Sequence, residues 1–182
     1  MIEVDISCPH MDYGKPYYAD SKLTAKVTKT VKQNTGKIPV SIKLSPNVHD
    51  IKEIAHAAEK AGADAITAIN TATGMVIDID AKKPILANKI GGVSGPALKP
   101  IAVRCVYEIY DTVKIPIIGT GGITYGKDAI EMVMAGATGI GIGTAIYYRG
   151  NDVLRKICNE MGVWMGKNRI KNLDEIRGAA HR

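Results

Sequence analysis

The chain has 182 residues, enough for a single domain over 1–182 with its own hydrophobic core. Its composition, 46% hydrophobic and 23% charged with a formal net charge of +6, is typical of a globular protein and argues against a disordered or fibrous chain. No run approaches the roughly 20 apolar residues that cross a bilayer, no secretory signal is visible, and no aromatic residues interleave with a basic stripe, so neither membrane nor nucleic-acid binding is predicted.

Apolar periodicity predicts strands and helices in regular alternation. The predicted elements, in chain order, are a strand at 2–7, a helix at 21–33, a strand at 39–44, a helix at 51–60, a strand at 65–70, a helix at 98–113, a strand at 115–119, a helix at 127–134, a strand at 139–143, a helix at 152–165 and a short tail at 173–177. Asp50 is placed to cap the second helix. A glycine-containing polar excursion over 71–95 interrupts the pattern, and a loop of that length is more often functional than passive.

Repeated β/α units with apolar strands predict a parallel sheet that is buried on both faces. Right-handed crossovers give either an open doubly wound sheet or a barrel. The open sheet favours a glycine fingerprint after the first strand, and the sequence has none there. A barrel explains why polar residues and glycines follow every strand, at the edge where barrels build active sites. We therefore predict an α/β fold of the TIM (β/α)₈ barrel family, with about the last four to five β/α units present.

Glycine clusters follow the last two predicted strands, as Gly121-Gly122 and Gly143-Thr144. Barrel loops at this position often hold a phosphate with backbone N–H groups, and glycine allows the backbone to approach it. Tight turns without a ligand are the alternative interpretation. Two clusters on consecutive strands favour the phosphate site.

Polar residues also end the second and third predicted strands. Lys43 is costly at the end of a buried strand unless it has a partner or reaches solvent, and it could supply positive charge beside an anionic ring. Asn70 and Thr71 could hold a flat polar ring by its edge or could simply form a turn.

The cysteines differ in their surroundings. Cys8, Cys105 and Cys158 are odd in number and widely spaced, which argues against a disulfide framework and favours a reducing, cytoplasmic compartment. No spacing of cysteine or histidine suggests a metal site. Cys105 and Cys158 fall in amphipathic helices as small apolar residues. Cys8 follows a strand in a polar loop, where it could be a nucleophile, a base or an inert thiol.

The ordered set of motifs resembles class 1 of the dihydroorotate dehydrogenase family, and two of the motifs resemble its NAD-linked 1B branch. The resemblance covers about residues 2–150 and is carried by Asp-Ile-Ser-Cys-Pro-His at 5–10, Lys-Leu-Ser-Pro-Asn-Val at 43–48, Ile-Asn-Thr at 69–71, Pro-Ile-Leu-Ala-Asn at 84–88, Gly-Gly-Val-Ser-Gly-Pro-Ala-Leu-Lys-Pro at 91–100, Gly-Thr-Gly-Gly at 119–122 and Gly-Thr-Ala at 143–145.

The resemblance implies an enzyme of pyrimidine synthesis that uses flavin mononucleotide (FMN) to oxidise dihydroorotate to orotate. It implies that Cys8 is the base at C5 of the substrate and that Lys43 lies beside the flavin as a catalytic and cofactor-binding residue. Asn70 and Thr71 are implied to bind the pyrimidine. The remaining residues implied to bind the cofactor are Asp5, Ile69, Gly95, Gly121, Gly122, Gly143 and Thr144.

The resemblance also implies a partner subunit, and the sheet edges predict self-association. Class 1B enzymes pass electrons to NAD through a subunit with FAD and a [2Fe–2S] cluster, and this chain has too few cysteines for such a cluster, so that subunit would be separate. Exposed sheet edges predict a homo-oligomer. The alternatives are a dihydropyrimidine dehydrogenase type of reductase and a non-catalytic half-barrel that assembles with a partner.

The chain departs from the family pattern in two ways. Asp5 stands where the family usually has an asparagine that touches both flavin and substrate. An ionised aspartate accepts hydrogen bonds but donates none, and it would repel the orotate carboxylate, so Asp5 is predicted at both binding sites with an altered role. The family's first half-barrel, which supplies further ligand contacts, is expected to be missing, as in a truncated catalytic chain.

Overall fold

A computed structural model of the protein describes residues 1–7 and 19–182. The strands are β1 (Ile2–Asp5), β2 (Val40–Leu44), β3 (Ala65–Ala68), β4 (Ala72–Gly74), β5 (Ile77–Asp78), β6 (Lys83–Pro84), β7 (Gly91–Val93), β8 (Ile117–Thr120) and β9 (Gly139–Gly141). The helices are α1 (Ser21–Asn34), α2 (Ile51–Lys60), α3 (Lys99–Tyr110), α4 (Gly126–Met134), α5 (Ala145–Arg149) and α6 (Val153–Lys167).

The main sheet contains five parallel strands in the order β1-β2-β3-β8-β9. Every strand lies beside the strand that precedes it in this series, so the winding never reverses direction as it does in a doubly wound sheet. The sequential order is that of a (β/α)₈ barrel and confirms the predicted α/β class. Asp5 on β1 pairs with Lys43 on β2, which pairs with Thr67 on β3, so these side chains point to the same face.

The hydrophobic core lies between the other face of the sheet and the helices. Ile42, Ile66 and Ile117 from three strands are at most 1% exposed, as are Val106 of α3 and Met132 of α4. Burial of one such side chain contributes about 1.5 to 3 kcal/mol. The strands are therefore fixed by apolar contacts on one face, and polar residues can occupy the other.

The predicted helix at 51–60 has the same bounds in α2, and the predicted cap is confirmed because Asp50 accepts from the Lys52 N–H at 2.9 Å. The predicted strands are all present; β1, β3 and β9 end two residues earlier than predicted, β2 ends where predicted, and β8 begins two residues later and ends one residue later. Helix α5 was not predicted, because five residues are too few to display a helical period. No helix in the described ranges is long and apolar enough to cross a membrane.

The excursion over 71–95 has structure of its own. Strand β4 pairs antiparallel with β7, and β5 pairs antiparallel with β6. The resulting projection exposes large apolar side chains, with Ile79 at 82% and Val76 at 63%. The surface of this segment is therefore more apolar than the polar excursion that the sequence predicts.

Candidate functional site

A cavity lies at the edge of the sheet where the strands β2, β3, β8 and β9 end. It encloses about 580 Å³, part of it open to solvent. All the predicted site residues that the structure describes line it, except Asp5, namely Lys43, Ile69, Asn70, Thr71, Gly95, Gly121, Gly122, Gly143 and Thr144. Residues that are up to about 100 positions apart in the sequence thus meet, because parallel strands bring their carboxyl ends to one edge.

Two predicted site residues remain, Asp5 and Cys8. Asp5 lies beside the cavity, with its Oδ2 atom 3.4 Å from Lys43 Nζ. Cys8, the predicted base, lies outside the described residues. Ser7, which precedes it in the sequence, contacts Asn70 of the cavity wall.

Lys43 has the partners that its position requires. Its side chain is 24% exposed, and its Nζ atom lies 3.6 Å from Glu3 Oε1 as well as 3.4 Å from Asp5 Oδ2. One ammonium therefore faces two carboxylates, and the local charge is negative before any ligand binds. Thr67 extends this polar face by donating its hydroxyl to Glu3 Oε2 at 2.8 Å.

A hydrogen-bonded chain connects Asp5 to Asn70. Both the backbone N–H and the hydroxyl of Ser7 donate to Asp5 Oδ1, the former at 2.9 Å. Asn70 Nδ2 donates to Ser7 Oγ at 2.6 Å, and the Thr71 N–H donates to Asn70 Oδ1 at 2.9 Å. Burial alone would raise the pKa of Asp5, but the Ser7 hydrogen bonds and the Lys43 charge hold that pKa below its ordinary value.

Two glycines of the opposite wall, Gly122 and Gly143, differ in whether the packing of the protein requires a glycine at their positions. Gly122 has φ +73°, and a Cβ atom there would lie 2.5 Å from the backbone nitrogen of Lys99, so only glycine fits. Gly143 has no such restriction, because no atom of the described residues, apart from its own chain neighbours, lies within 4 Å of the position its Cβ would take. A glycine that the protein's own packing does not require, in the wall of a cavity, is suited to the close approach of a ligand.

The loop that follows Gly122 is fixed by Asp128 of α4. Its Oδ2 atom accepts from the N–H groups of Thr124 at 3.0 Å and Tyr125 at 2.8 Å, and its Oδ1 atom accepts from Lys99 Nζ at 2.9 Å. Burial alone would raise the pKa of Asp128, yet Lys99 and the two N–H groups hold it below its ordinary value. Lys99 also bonds to Glu131 at 2.6 Å, and that hydrogen bond above all raises the pKa of Lys99.

The start of α4 is therefore satisfied by the protein itself. Asp128 accepts from two N–H groups just before the helix, and the Gly126 N–H at its first position donates to Glu160 Oε2 at 2.6 Å. An anion in the cavity would use the glycine loops and the residues before α5 instead. Among the described ranges, no group of three or more His, Cys, Asp or Glu residues is placed to hold a metal ion.

Sequence reasoning missed Ser7, Lys99 and Asp128 as parts of the site. Ser7 and Asn70 are 63 positions apart, and Lys99 and Asp128 are 29 apart, so no local pattern connects them. A helix-capping signal at Asp128 was obscured because Tyr125, an unusual cap residue, precedes the helix.

Comparisons with known proteins point to one family. The family model for dihydroorotate dehydrogenase matches residues 1–165. Two relatives, both named dihydroorotate dehydrogenase B (NAD(+)), catalytic subunit, come from Methanocaldococcus jannaschii and Methanothermobacter thermautotrophicus. They are 50% and 48% identical over the whole of this chain, which spans 59% and 60% of their lengths.

A solved structure shows the same fold. The DHODH of Eimeria tenella, crystallised in complex with ferulenol, superposes with a TM-score of 0.79 and covers 99% of this chain and 54% of its own. Its sequence is 23% identical, so this likeness speaks to the fold alone. The family match and the 1B relatives confirm the resemblance predicted from the motifs: this chain belongs to the dihydroorotate dehydrogenase family.

Proposed function

We propose that this chain forms the flavin- and substrate-binding part of an FMN-dependent dihydroorotate dehydrogenase, which converts dihydroorotate to orotate in pyrimidine synthesis. The observation that carries the proposal is the single cavity in which Lys43, Asn70 and the two glycine clusters meet. Family membership supports the reaction, and the cavity supports the participation of this chain's own residues in it.

The donors and spaces around the cavity fit a flavin phosphate. Gly143 leaves room for backbone contact, and Gly121 and Gly122 form a turn with φ values of +129° and +73°. Gly95 and Thr144 line the same cavity, and a Cβ atom at Gly95 would lie 3.4 Å from Thr144 Cγ2. Backbone N–H groups at such turns suit a phosphate, and these residues would hold that end of FMN.

The opposite wall fits the ring end of the cofactor and the substrate. When bound, FMN supplies the acceptor for the hydride that dihydroorotate loses. Lys43 would place a positive charge beside the flavin ring, and Ile69 would contact it through backbone. Asn70 and Thr71 would orient the pyrimidine by hydrogen bonds, and Asp5 would neutralise part of the Lys43 charge.

Cys8 is proposed as the base that takes a proton from C5 of dihydroorotate. A thiolate near the substrate is a competent base, and Cys8 directly follows Ser7, which contacts the proposed pyrimidine-binding residue Asn70. The carboxyl group of Asp5 lies two hydrogen bonds from Asn70, but its hydrogen bonds and its lowered pKa make it a poor proton acceptor.

A separate electron-transfer subunit with FAD and a [2Fe–2S] cluster is proposed as the partner. The relatives carry "catalytic subunit" in their names, which supports an assembly of more than one kind of chain. A homo-oligomer is proposed as well, because the strands β1 and β9 end the described sheet and leave edges that can pair.

The test is to titrate the purified chain with FMN and to follow quenching of flavin fluorescence. Saturable binding is expected, and anaerobic dihydroorotate should then bleach the flavin absorbance. Gly143→Val should weaken FMN binding at least about tenfold, because a side chain there would occupy the space that the phosphate needs.

The matched control is Gly162→Val on α6, where the Cβ position is equally unobstructed but lies outside the cavity wall. It should leave FMN affinity unchanged within about twofold. A chain that binds no FMN would contradict the proposal for this chain. Turnover of uracil in preference to dihydroorotate would favour the dihydropyrimidine dehydrogenase type of reductase.

A further inference from the structure

Asp5 is engaged by the protein at both of its carboxylate oxygens. Oδ1 accepts the backbone N–H and the hydroxyl of Ser7, and Oδ2 faces Lys43 Nζ at 3.4 Å. Asp5 is also absent from the residues that line the cavity, whereas Asn70, two hydrogen bonds away, is among them. Its position therefore suits a residue that acts through another side chain rather than one that touches a ligand.

The direction of the Ser7 O–H bond determines which group donates and which accepts at each step of this chain of hydrogen bonds. An ionised carboxylate can only accept, so the hydroxyl donates to Asp5 and turns a lone pair toward Asn70 Nδ2, 2.6 Å away. Without that acceptor the hydroxyl could rotate and donate elsewhere, and Asn70 Nδ2 would lose a defined partner.

The Asn70 amide is held at both ends in this arrangement. Its Nδ2 atom donates to Ser7 Oγ and, at 3.3 Å, to the Ser7 carbonyl oxygen, while its Oδ1 atom accepts from the Thr71 N–H. A flipped amide would set two donors against each other at Thr71. Among residues 1–7 and 19–182 no second donor bonds to Oδ1, so its other lone pair can accept a ring N–H.

We propose that Asp5 is a positioning residue, which fixes the Ser7 hydroxyl and, through it, the orientation of the Asn70 amide for a cyclic ligand with a ring N–H. The ligand part of this inference rests on the proposed function. Asp5 thereby fills a position where the family usually has asparagine, by supplying a hydrogen-bond acceptor inside the protein. Its negative charge is offset by Lys43, so the positioning depends on the acceptor oxygen and not on the charge.

The experiment uses the full chain and two measurements. The first is hydrogen exchange of the Asn70 side-chain amide, followed by NMR in the chain without added ligand, with its resonance assigned by loss in Asn70→Ala. The second is orotate affinity, measured through the flavin spectrum of the FMN-loaded chain. Asp5→Ala and Ser7→Ala should each speed the exchange about tenfold and weaken orotate binding about tenfold.

The conservative variant and a charge control separate position from charge. Asp5→Asn keeps an acceptor oxygen for Ser7, so both measurements should stay within about threefold of the unmodified chain. Glu3→Gln removes a negative charge 3.6 Å from Lys43 but does not touch Ser7, and both measurements should stay within about twofold. The Asp5→Ala/Ser7→Ala double variant should lose no more than either single one.

Several results would overturn the inference. Unchanged Asn70 exchange in Asp5→Ala is one, and additive losses in the double variant are another. Equal losses in Asp5→Ala, Asp5→Asn and Glu3→Gln would assign the effect to charge instead. If the chain binds no FMN, the proposed function fails, while the exchange measurement still decides the role of Asp5. Retained dispersion of the NMR spectrum identifies variants that have folded.

Discussion

On the β8 and β9 side the cavity wall is rich in glycine, whereas on the β2 and β3 side it carries charged and amide side chains, with the carboxylates of β1 beside them. Gly122 on the first side packs against the backbone of Lys99, and its loop is tied down by the nearly buried Asp128. Lys43 and Asp5 on the second side are partly exposed and meet as side chains at 3.4 Å.

This difference indicates which changes each wall tolerates. A backbone wall has no rotamer that can adjust, so an added methyl group must displace the chain itself. A side-chain wall can keep its hydrogen bonds through isosteric replacements, and solvent screens its charges. The first wall should therefore govern folding, and the second should govern how a ligand is oriented.

The largest effect is expected for Gly122→Ala. The residue has φ +73°, and its new Cβ would lie 2.5 Å from Lys99 N and 2.8 Å from Gly95 O, both backbone atoms. Backbone strain and overpacking together should lower the free energy of unfolding by about 3 kcal/mol, measured by urea denaturation.

A matched glycine-to-alanine change tests whether the site or the residue type is responsible. Gly162 lies inside α6, and outside its own helix no atom of the described residues lies within 4 Å of its Cβ position, so Gly162→Ala should raise the free energy of unfolding by about 0.5 to 1 kcal/mol. If Gly122→Ala lost less than about 1 kcal/mol, the backbone wall would be more adaptable than we infer.

Asp128→Ala should have the next largest effect. It removes the acceptor of two backbone N–H groups and a partner of Lys99, so the free energy of unfolding should fall by about 2 kcal/mol. Asp128→Asn keeps one acceptor oxygen for the loop and should lose less. Equal losses in the two variants, again by urea denaturation, would show that the ion pair rather than the loop contacts matters.

Acid should reduce the contribution of Asp128 to stability. Its pKa is lower in the folded chain than the ordinary aspartate value of about 3.9, so its contribution is complete above that value and is lost as pH falls through the folded pKa. The difference in free energy of unfolding between the unmodified chain and Asp128→Asn should be constant from about pH 7 to 5 and shrink below about pH 4. A difference that grew on acidification would contradict the assigned shift.

The sequence predicts the local secondary structure of this molecule better than its contacts between distant residues. Helix α2 could be bounded correctly because Asp50 caps it and Gly62 closely follows its end. The two- and three-residue strands between 71 and 95 are too short to show an alternation of apolar and polar residues, so the sequence predicts a loop there. The cavity's predicted residues came from strand ends and from the family's motifs.

What the sequence could not supply is the set of contacts made across the sheet. The Ser7 and Asn70 hydrogen bond depends on the register of β1, β2 and β3, since one residue of slip would turn each side chain to the other face. The link between Lys99 and Asp128 depends in the same way on how α3 packs beside α4. Patterns along the chain do not encode such pairings directly.

The smallest effect is expected for Glu3→Gln, beside the side-chain wall. Glu3 is 40% exposed, its carboxylate is 3.6 Å from Lys43, and Asp5 remains as a second partner of that lysine. An exposed ion pair of this kind contributes little, and glutamine keeps an oxygen for the Thr67 hydroxyl, so the free energy of unfolding should change by less than about 0.5 kcal/mol. Urea denaturation at low and high salt checks this, because a screened pair should give a still smaller difference at high salt. A loss above about 1 kcal/mol would mean that this wall also holds the fold together, and the contrast between the two sides of the cavity would no longer separate folding from ligand orientation.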